Sequence, residues 1–219
     1  MPYPVDRYLS IRAAAAPALS PDGSELAFLT NLTGLPQAWA VGSSGWPRQL
    51  TFTSEAVRGI EWTPRGDRLL YIMDHHGNER HQLYLVRPDG SGEQALTQAP
   101  ESIHLFGDFA PDGTWLSYSA NLRDPRFFDL YQLDLATGTT RCLLQHDGAN
   151  YAGATSPDGS RILFARVHGS FDRELHVLEV TTGETRQLTP DGQTARYEQA
   201  QWADDQSVLL LTDLDSEFV

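Results

Sequence analysis

The sequence predicts an all-β chain, a partial β-propeller of four-stranded antiparallel blades, with four complete repeats plus the start of a fifth. Three observations lead there. A proline-aspartate-glycine turn recurs at a nearly constant interval, short alternating strands flank each turn, and the repeats carry none of the helical periodicity that an α-solenoid needs.

The turns are Ser20-Pro21-Asp22-Gly23, Thr63-Pro64-Arg65-Gly66, Ala110-Pro111-Asp112-Gly113 and Ser156-Pro157-Asp158-Gly159, followed by a degraded Ala203-Asp204-Asp205-Gln206. Counted at the proline column, the steps run from 43 to 47 residues. Proline presets φ at the first central position, Asp accepts from nearby backbone at the second, and Gly takes the positive φ that other residues resist. Apolar segments such as Ile60-Glu61-Trp62 and Gln201-Trp202 precede the turns, and β-rich runs such as Leu69-Leu70-Tyr71-Ile72-Met73 follow them, so each unit reads as a hairpin.

A second strand motif follows at a fixed distance. Gln82-Leu83-Tyr84-Leu85-Val86, Asp129-Leu130-Tyr131-Gln132-Leu133 and Glu174-Leu175-His176-Val177-Leu178 alternate as half-buried strands do. Each runs into a Gly-containing turn, and the repeats close on Leu50-Thr51, Leu96-Thr97, Leu143-Leu144 and Leu188-Thr189. Four strands in that span match the spacing of propeller blades, while the Gly-His and Trp-Asp signature of WD repeats does not recur. The repeats fall near residues 17–52, 56–98, 103–145 and 149–190, with an incomplete one at 196–219. Residues 1–16 form an N-terminal extension. Within it, residues 6–16 read either as a short helix, capped by Asp6 with Tyr8, Leu9 and Ile11 on one side, or as a loose terminus.

Composition narrows the function. Sixteen Lys+Arg against 29 Asp+Glu give a net charge of −13, which repels phosphate backbones and argues against nucleic acid as a partner. No run approaches the roughly 18 apolar residues of a membrane span. The first residues lack the basic start and apolar stretch of a secretion signal, and Cys142 has no second cysteine to pair with. The expectation is a cytoplasmic protein. Because the fifth repeat is half built at Val219, the chain is expected to be a truncated part of a longer protein, and unpaired edge strands predict a homo-oligomer.

The start, Tyr3-Pro4-Val5-Asp6-Arg7-Tyr8-Leu9-Ser10-Ile11, the stretch Leu19-Ser20-Pro21-Asp22-Gly23-Ser24-Glu25-Leu26-Ala27-Phe28, and the run Asp74-His75-His76-Gly77-Asn78-Glu79-Arg80-His81-Gln82-Leu83-Tyr84 together resemble the N-terminal propeller of prolyl oligopeptidase family serine peptidases, acylaminoacyl-peptidase-like members in particular. The turn repeat is shared with TolB-type propellers. The resemblance implies a partner, a C-terminal α/β-hydrolase domain absent from this chain, which the propeller caps so that only short peptide substrates enter.

The chain itself holds no Gly-x-Ser-x-Gly nucleophile elbow, so no catalytic residue is assigned. Glu79 and Arg80, in a loop of the second repeat, are the substrate-gating or interdomain candidates; the alternative is an ordinary exposed ion pair. His75, His76 and His81 fit no zinc spacing, and neither a metal nor another cofactor is expected. Dipeptidyl-peptidase relatives hold a substrate's amino terminus with paired glutamates, and the nearest match, Tyr197-Glu198-Gln199, has glutamine in the second place. Trp62, Phe109 and Trp202 precede the turns and read as packing between neighbouring sheets rather than as a ligand-lining ring. Two functions follow: a non-catalytic gating propeller of a serine peptidase or, alternatively, a stand-alone TolB-like protein-binding propeller.

Overall fold

The computed structural model describes Arg7 and residues 10–43 and 45–215. The chain divides into two compact units, Met1–Gln98 and Ala99–Val219. Strands supply the regular structure of both.

In the first unit, β1 (Ala14–Leu19), β2 (Glu25–Thr30), β3 (Gln37–Gly42) and β4 (Arg48–Gln49) form one antiparallel sheet in chain order. A second sheet repeats the order with β5 (Val57–Trp62), β6 (Leu69–Met73), β7 (Gln82–Val86) and β8 (Gln94–Ala95). Register sets the core. Ala27 pairs with Ala40 and Leu29 with Ala38, so the first sheet presents a shallow face of small residues. Against it pack Val57, Ile60 and Trp62 of β5 with Leu69, Tyr71 and Met73 of β6. Small groups on one sheet leave room for large ones on the next, and each large side chain removed from water contributes about 1.5–3 kcal/mol.

The second unit repeats the pattern. β9 (His104–Phe109), β10 (Trp115–Asp124), β11 (Phe127–Asp134) and β12 (Thr140–Leu144) pair antiparallel in order, as do β13 (Ala149–Thr155), β14 (Arg161–Gly169), β15 (Asp172–Glu179) and β16 (Thr185–Gln187). A parallel bridge between Phe128 and Ala149 links the two sets. β17 (Tyr197–Trp202) and β18 (Val208–Thr212) form a separate pair. Leu130 and Leu143 meet Ile162, Phe164 and Leu178 in one core, while Ala154, Leu163, Leu175 and Val177 meet Trp202, Val208 and Leu210 in another. This is the all-β architecture of a propeller.

The recurrent turns close as their chemistry requires. The amides of Gly23, Gly66, Gly113 and Gly159 each donate to the carbonyl three residues earlier at 2.8 Å, and these glycines hold φ between 65° and 73°. Ser20 Oγ donates to Asp22 Oδ1 at 2.6 Å, Ser24 N donates to the same oxygen at 3.0 Å, and Glu25 N donates back to Ser20 Oγ at 3.0 Å. Ser156, Asp158, Ser160 and Arg161 repeat this set. The closing Leu-Thr pairs are clasps. Thr51, Thr97 and Thr189 accept from the amides of Ala38, Leu83 and Leu175 at 2.8, 3.0 and 3.2 Å. Where the third repeat has Leu143-Leu144 instead, buried Asp129 takes over, accepting from His146 N and Arg123.

Trp62 and Trp202 do more than fill space. Their indole N–H groups donate to the carbonyls of Ala18 and Ala154, each at 3.1 Å, which ties one sheet to the sheet before it. Residues 1–6, 8 and 9 of the expected N-terminal extension lie outside the described residues. Neither reading of residues 6–16, short helix or loose terminus, extends to Ala16, because Ala14 and Ala15 in β1 pair with Thr30 and Leu29 of β2. Edge pairing outweighs the helix propensity of an alanine run.

Candidate functional site

The proline-containing turns stand at one end of the sheets of the first unit, and at the other end the β6–β7 loop, residues 74–81, carries the sequence candidates. Asp74 directly follows β6, with its side chain buried. Its Oδ2 accepts from Glu79 N at 2.9 Å and its Oδ1 faces Arg58 Nε, across the sheet on β5, at 3.4 Å. The Glu79 amide, together with the Arg58 guanidinium, holds the Asp74 carboxyl below the usual carboxylate range.

That anchor sets an unusual backbone. His76, Gly77 and Glu79 all adopt left-handed φ, at 57°, 67° and 60°. Gly77 does so freely, whereas a histidine and a glutamate are strained there. Asn78 Oδ1 accepts from Arg80 N at 2.9 Å and completes the bend. As a result Glu79 projects into solvent and Arg80 lies half-buried beside it.

The three nearby histidines do not converge. His75 Nε2 is hydrogen-bonded to the Tyr84 hydroxyl at 2.9 Å, and Tyr84 stacks on Tyr71. His76 turns out to Glu55 at 3.3 Å. Among the described residues no group of three or more His, Cys, Asp or Glu side chains is placed to hold a metal ion. Glu55, Arg58 and Asp74 were missed as members of this site. Asp74 opens the sequence run that carries the resemblance, but nothing local marks Arg58 as its partner.

In the second unit the other candidates are engaged in structural contacts. Glu198 pairs with Arg173 at 3.8 Å, and Tyr197 is buried, so the Tyr197-Glu198-Gln199 segment presents one acid already in an ion pair. Phe109 is buried and Trp202 packs on the sheet before it, and in the first unit Trp62 is buried as well. Arg123 bonds both Asp129 and Asp147 and, with Arg126, lies over the Phe127 ring at 5.2 and 4.8 Å. Glu174 receives both His176 and His168, and these hydrogen bonds outweigh burial and keep its carboxyl low.

A cleft of about 160 Å³ opens at the turn end of the first unit, between Asp22, Glu25, Trp62 and Arg65. Its carboxylates are occupied. Asp22 serves its own turn, and both Glu25 carboxylate oxygens accept from Arg48 Nη2 at 2.6 Å. The 74–81 loop is the stronger candidate, because strained backbone and a buried anchor there serve exposed polar groups.

Comparison with known proteins places these features. The family described as the dipeptidyl peptidase IV (DPP IV) N-terminal region matches residues 37–165, a span that includes the loop. A dipeptidyl aminopeptidase BIII of Pseudoxanthomonas mexicana is 27% identical over 199 residues, covering 82% of this chain and 29% of that protein. A TolB homolog of Chlorobium luteolum is 34% identical over 128 residues, 57% of this chain and 27% of that one. The chain thus spans less than a third of the length of either relative. Among solved structures, a prolyl endopeptidase superposes with a TM-score of 0.74 at 13% identity, over 92% of this chain and 32% of its own. Pyrococcus horikoshii acylaminoacyl peptidase gives 0.62 at 18% identity, over 86% and 34%. At such identities the two structures attest the fold.

Proposed function

The chain belongs to the dipeptidyl peptidase IV N-terminal region family, and on that footing we propose that it is the non-catalytic propeller part of a serine peptidase of the prolyl oligopeptidase and acylaminoacyl-peptidase type. In this role it caps a hydrolase domain and limits substrates to short peptides, in the cytoplasm. The observation that carries the reading is the family match itself, which takes in the Asp74-anchored loop. Glu79 and Arg80 are then the groups that meet the entering peptide or the hydrolase domain. A loop whose conformation is fixed by a buried carboxylate holds such charges in place without further ordering on contact.

The test is to express the chain alone and the complete reading frame that encodes it, and to assay both on dipeptidyl and acylaminoacyl anilides and on a folded protein. The expected result is an inert chain, and a full-length product that cleaves the short substrates, spares the protein and is stopped by a serine-directed inhibitor. Inhibitor-sensitive cleavage by the chain alone, or a reading frame without a hydrolase domain, overturns the proposal. The 34% identity to a TolB homolog favours a second reading, a propeller that works by binding other proteins. A reading frame that ends without a hydrolase domain, joined to capture of a defined protein partner, selects it.

A further inference from the structure

One sheet-to-sheet junction departs from the repeat at both of its partner positions. Three residues before the turn proline stand Ala18, Asp108 and Ala154, and each faces a residue two before the next turn's proline position: Trp62, Thr155 and Trp202. In the first and last of these pairs an indole N–H crosses to a backbone carbonyl at 3.1 Å. Between the β9–β12 and β13–β16 sets the tryptophan is replaced, and the Thr155 amide donates instead to Asp108 Oδ2 at 2.8 Å. The bond survives, but its acceptor can take up a proton.

The surroundings fit that exchange. A Cβ on Gly107 would come within 2.6 Å of Ser117 Oγ and 2.7 Å of Ala152 Cβ, so only glycine lets β13 approach β9 this closely. Ala152 N donates to Ser119 Oγ at 2.8 Å, a second polar tie across the junction. Asp108, itself half-buried, also accepts from Phe109 N at 2.8 Å, so amides hold both carboxylate oxygens. The charged groups of the adjoining elements are engaged elsewhere. His104, at the other end of β9, packs on Tyr118, while on β10 Arg123 bonds Asp129 and Asp147, and Asp124 bonds Arg126. β13 offers no titratable side chain but Tyr151, which packs on Phe128. In the turns that follow β9 and β13, Asp112 bonds Thr114, Asp158 bonds Ser156 and Ser160, and Arg161 lies over the Trp202 ring.

We propose that Asp108 makes the junction between these two sets an acid-locked seam, firm while its carboxyl is protonated and loosened when the proton leaves for water. A carboxylate drawn from water without a counter-ion costs free energy that two amide bonds only partly offset. Burial accordingly pushes the Asp108 carboxyl above the usual range, against the pull of the Thr155 and Phe109 amides. Because the folded value lies above the unfolded one, the stabilisation is fully present below the unfolded value of about 3.9 and is lost as pH rises through the folded value. Thr155 Oγ1 is buried without a hydrogen-bond partner, so the polar inner part of the seam is incompletely satisfied. The Trp62 and Trp202 bonds, indole to carbonyl, hold no titratable group.

Native-state hydrogen exchange of the chain, read by NMR from the ordinary aspartate value to neutral pH and corrected for intrinsic exchange, tests the proposal. Protection of the Thr155 and Ala152 amides, which cross the seam, is expected to fall several-fold as pH rises through the Asp108 midpoint, itself followed by carboxyl NMR. Protection of the Ala38 amide, held by Thr51 in the first unit, is expected to stay flat. Asp108→Asn keeps an oxygen acceptor without the charge, so its Thr155 protection is expected to be independent of pH and several-fold above wild type at neutral pH. A flat wild-type profile at Thr155, an Asp108 midpoint at or below about 3.9, or a folded Asp108→Asn protected no better than wild type at neutral pH overturns it. The wild-type profile decides even where the variant does not fold. Peptidase assays do not bear on the outcome, so its failure is distinct from failure of the gating role.

Discussion

The turn at Ser20 and the loop at Asp74 use one device in two settings. In each, an aspartate carboxylate accepts a backbone amide a few residues onward, Ser24 N at 3.0 Å for Asp22 and Glu79 N at 2.9 Å for Asp74. Asp22 sits in water among hydroxyls, and the glycine beside it adopts positive φ without strain. Asp74 is buried, is balanced by Arg58, and holds a glutamate in the left-handed region. The exposed version recurs from repeat to repeat and builds scaffold. The buried version fixes a loop against its own backbone preference, which is the expense expected where a particular side chain must be presented.

The comparison can be broken at several points. The largest effect is expected at the scaffold end, where Trp62→Ala removes both a buried ring and the bond to the Ala18 carbonyl. Urea unfolding should show a loss of about 3–5 kcal/mol, and Trp62→Phe, which keeps a ring, should lose about 1 kcal/mol for the hydrogen bond. Normal unfolding of the alanine variant would mean that the turn end is not what joins the two sheets.

Asp74→Ala comes next. Loss of a buried charged acceptor should lower stability by about 1.5–3 kcal/mol and speed hydrogen exchange at the Glu79 amide, while Asp22→Ala disturbs its own turn alone. Equal losses from the two variants would erase the distinction.

Acid titration sharpens it further. Hydrogen bonds from Ser20 and then Ser24 hold Asp22 at about 2, and Ser156 and Ser160 do the same for Asp158. These folded values lie below the unfolded value of about 3.9, so both turns contribute stability above that pH and lose it as pH falls toward about 2. Carboxyl NMR should place both midpoints near the lower figure, and midpoints near 4 would remove the hydroxyl contribution. The smallest effect is expected from Glu79→Gly. Relief of left-handed strain is offset by the unfolded-state freedom of glycine, so stability should stay within about 0.5 kcal/mol of wild type. In the full-length product its KM for short peptides should rise, and an unchanged KM would separate Glu79 from substrate.

Much of the architecture was legible in advance. The strands at Leu69–Met73 and Gln82–Val86 appear where the β-rich run and the second strand motif placed them, although Gln82–Val86 is buried on both faces and not half-buried, and the four Pro-containing turns close with the expected bonds. The signal was strong because each turn is settled by residues adjacent in the chain. The candidate loop was only half legible. Glu79 and Arg80 stood out as charged loop residues, but the backbone that presents Glu79 depends on Asp74, and Asp74 depends on Arg58, 16 residues earlier on another strand. The two readings offered for residues 6–16, helix or loose terminus, both gave way at the end of that segment for a related reason. Ala14 and Ala15 found partners in β2 that local propensity does not register.

Residue type and spacing were therefore sufficient for the hairpins, the all-β class and the repeat, since a turn is closed by four or five consecutive residues and an apolar run bounded by such turns is short enough to be a strand. Sheet packing settled the rest. It decided that Trp62 reaches the Ala18 carbonyl, that Asp74 is buried against Arg58, and that Leu163 is covered by Trp202, Val208 and Leu210. Each of these depends on a surface supplied by a distant stretch of chain, and the same leucine in the same local pattern is core or surface according to whether a neighbouring sheet lies against it.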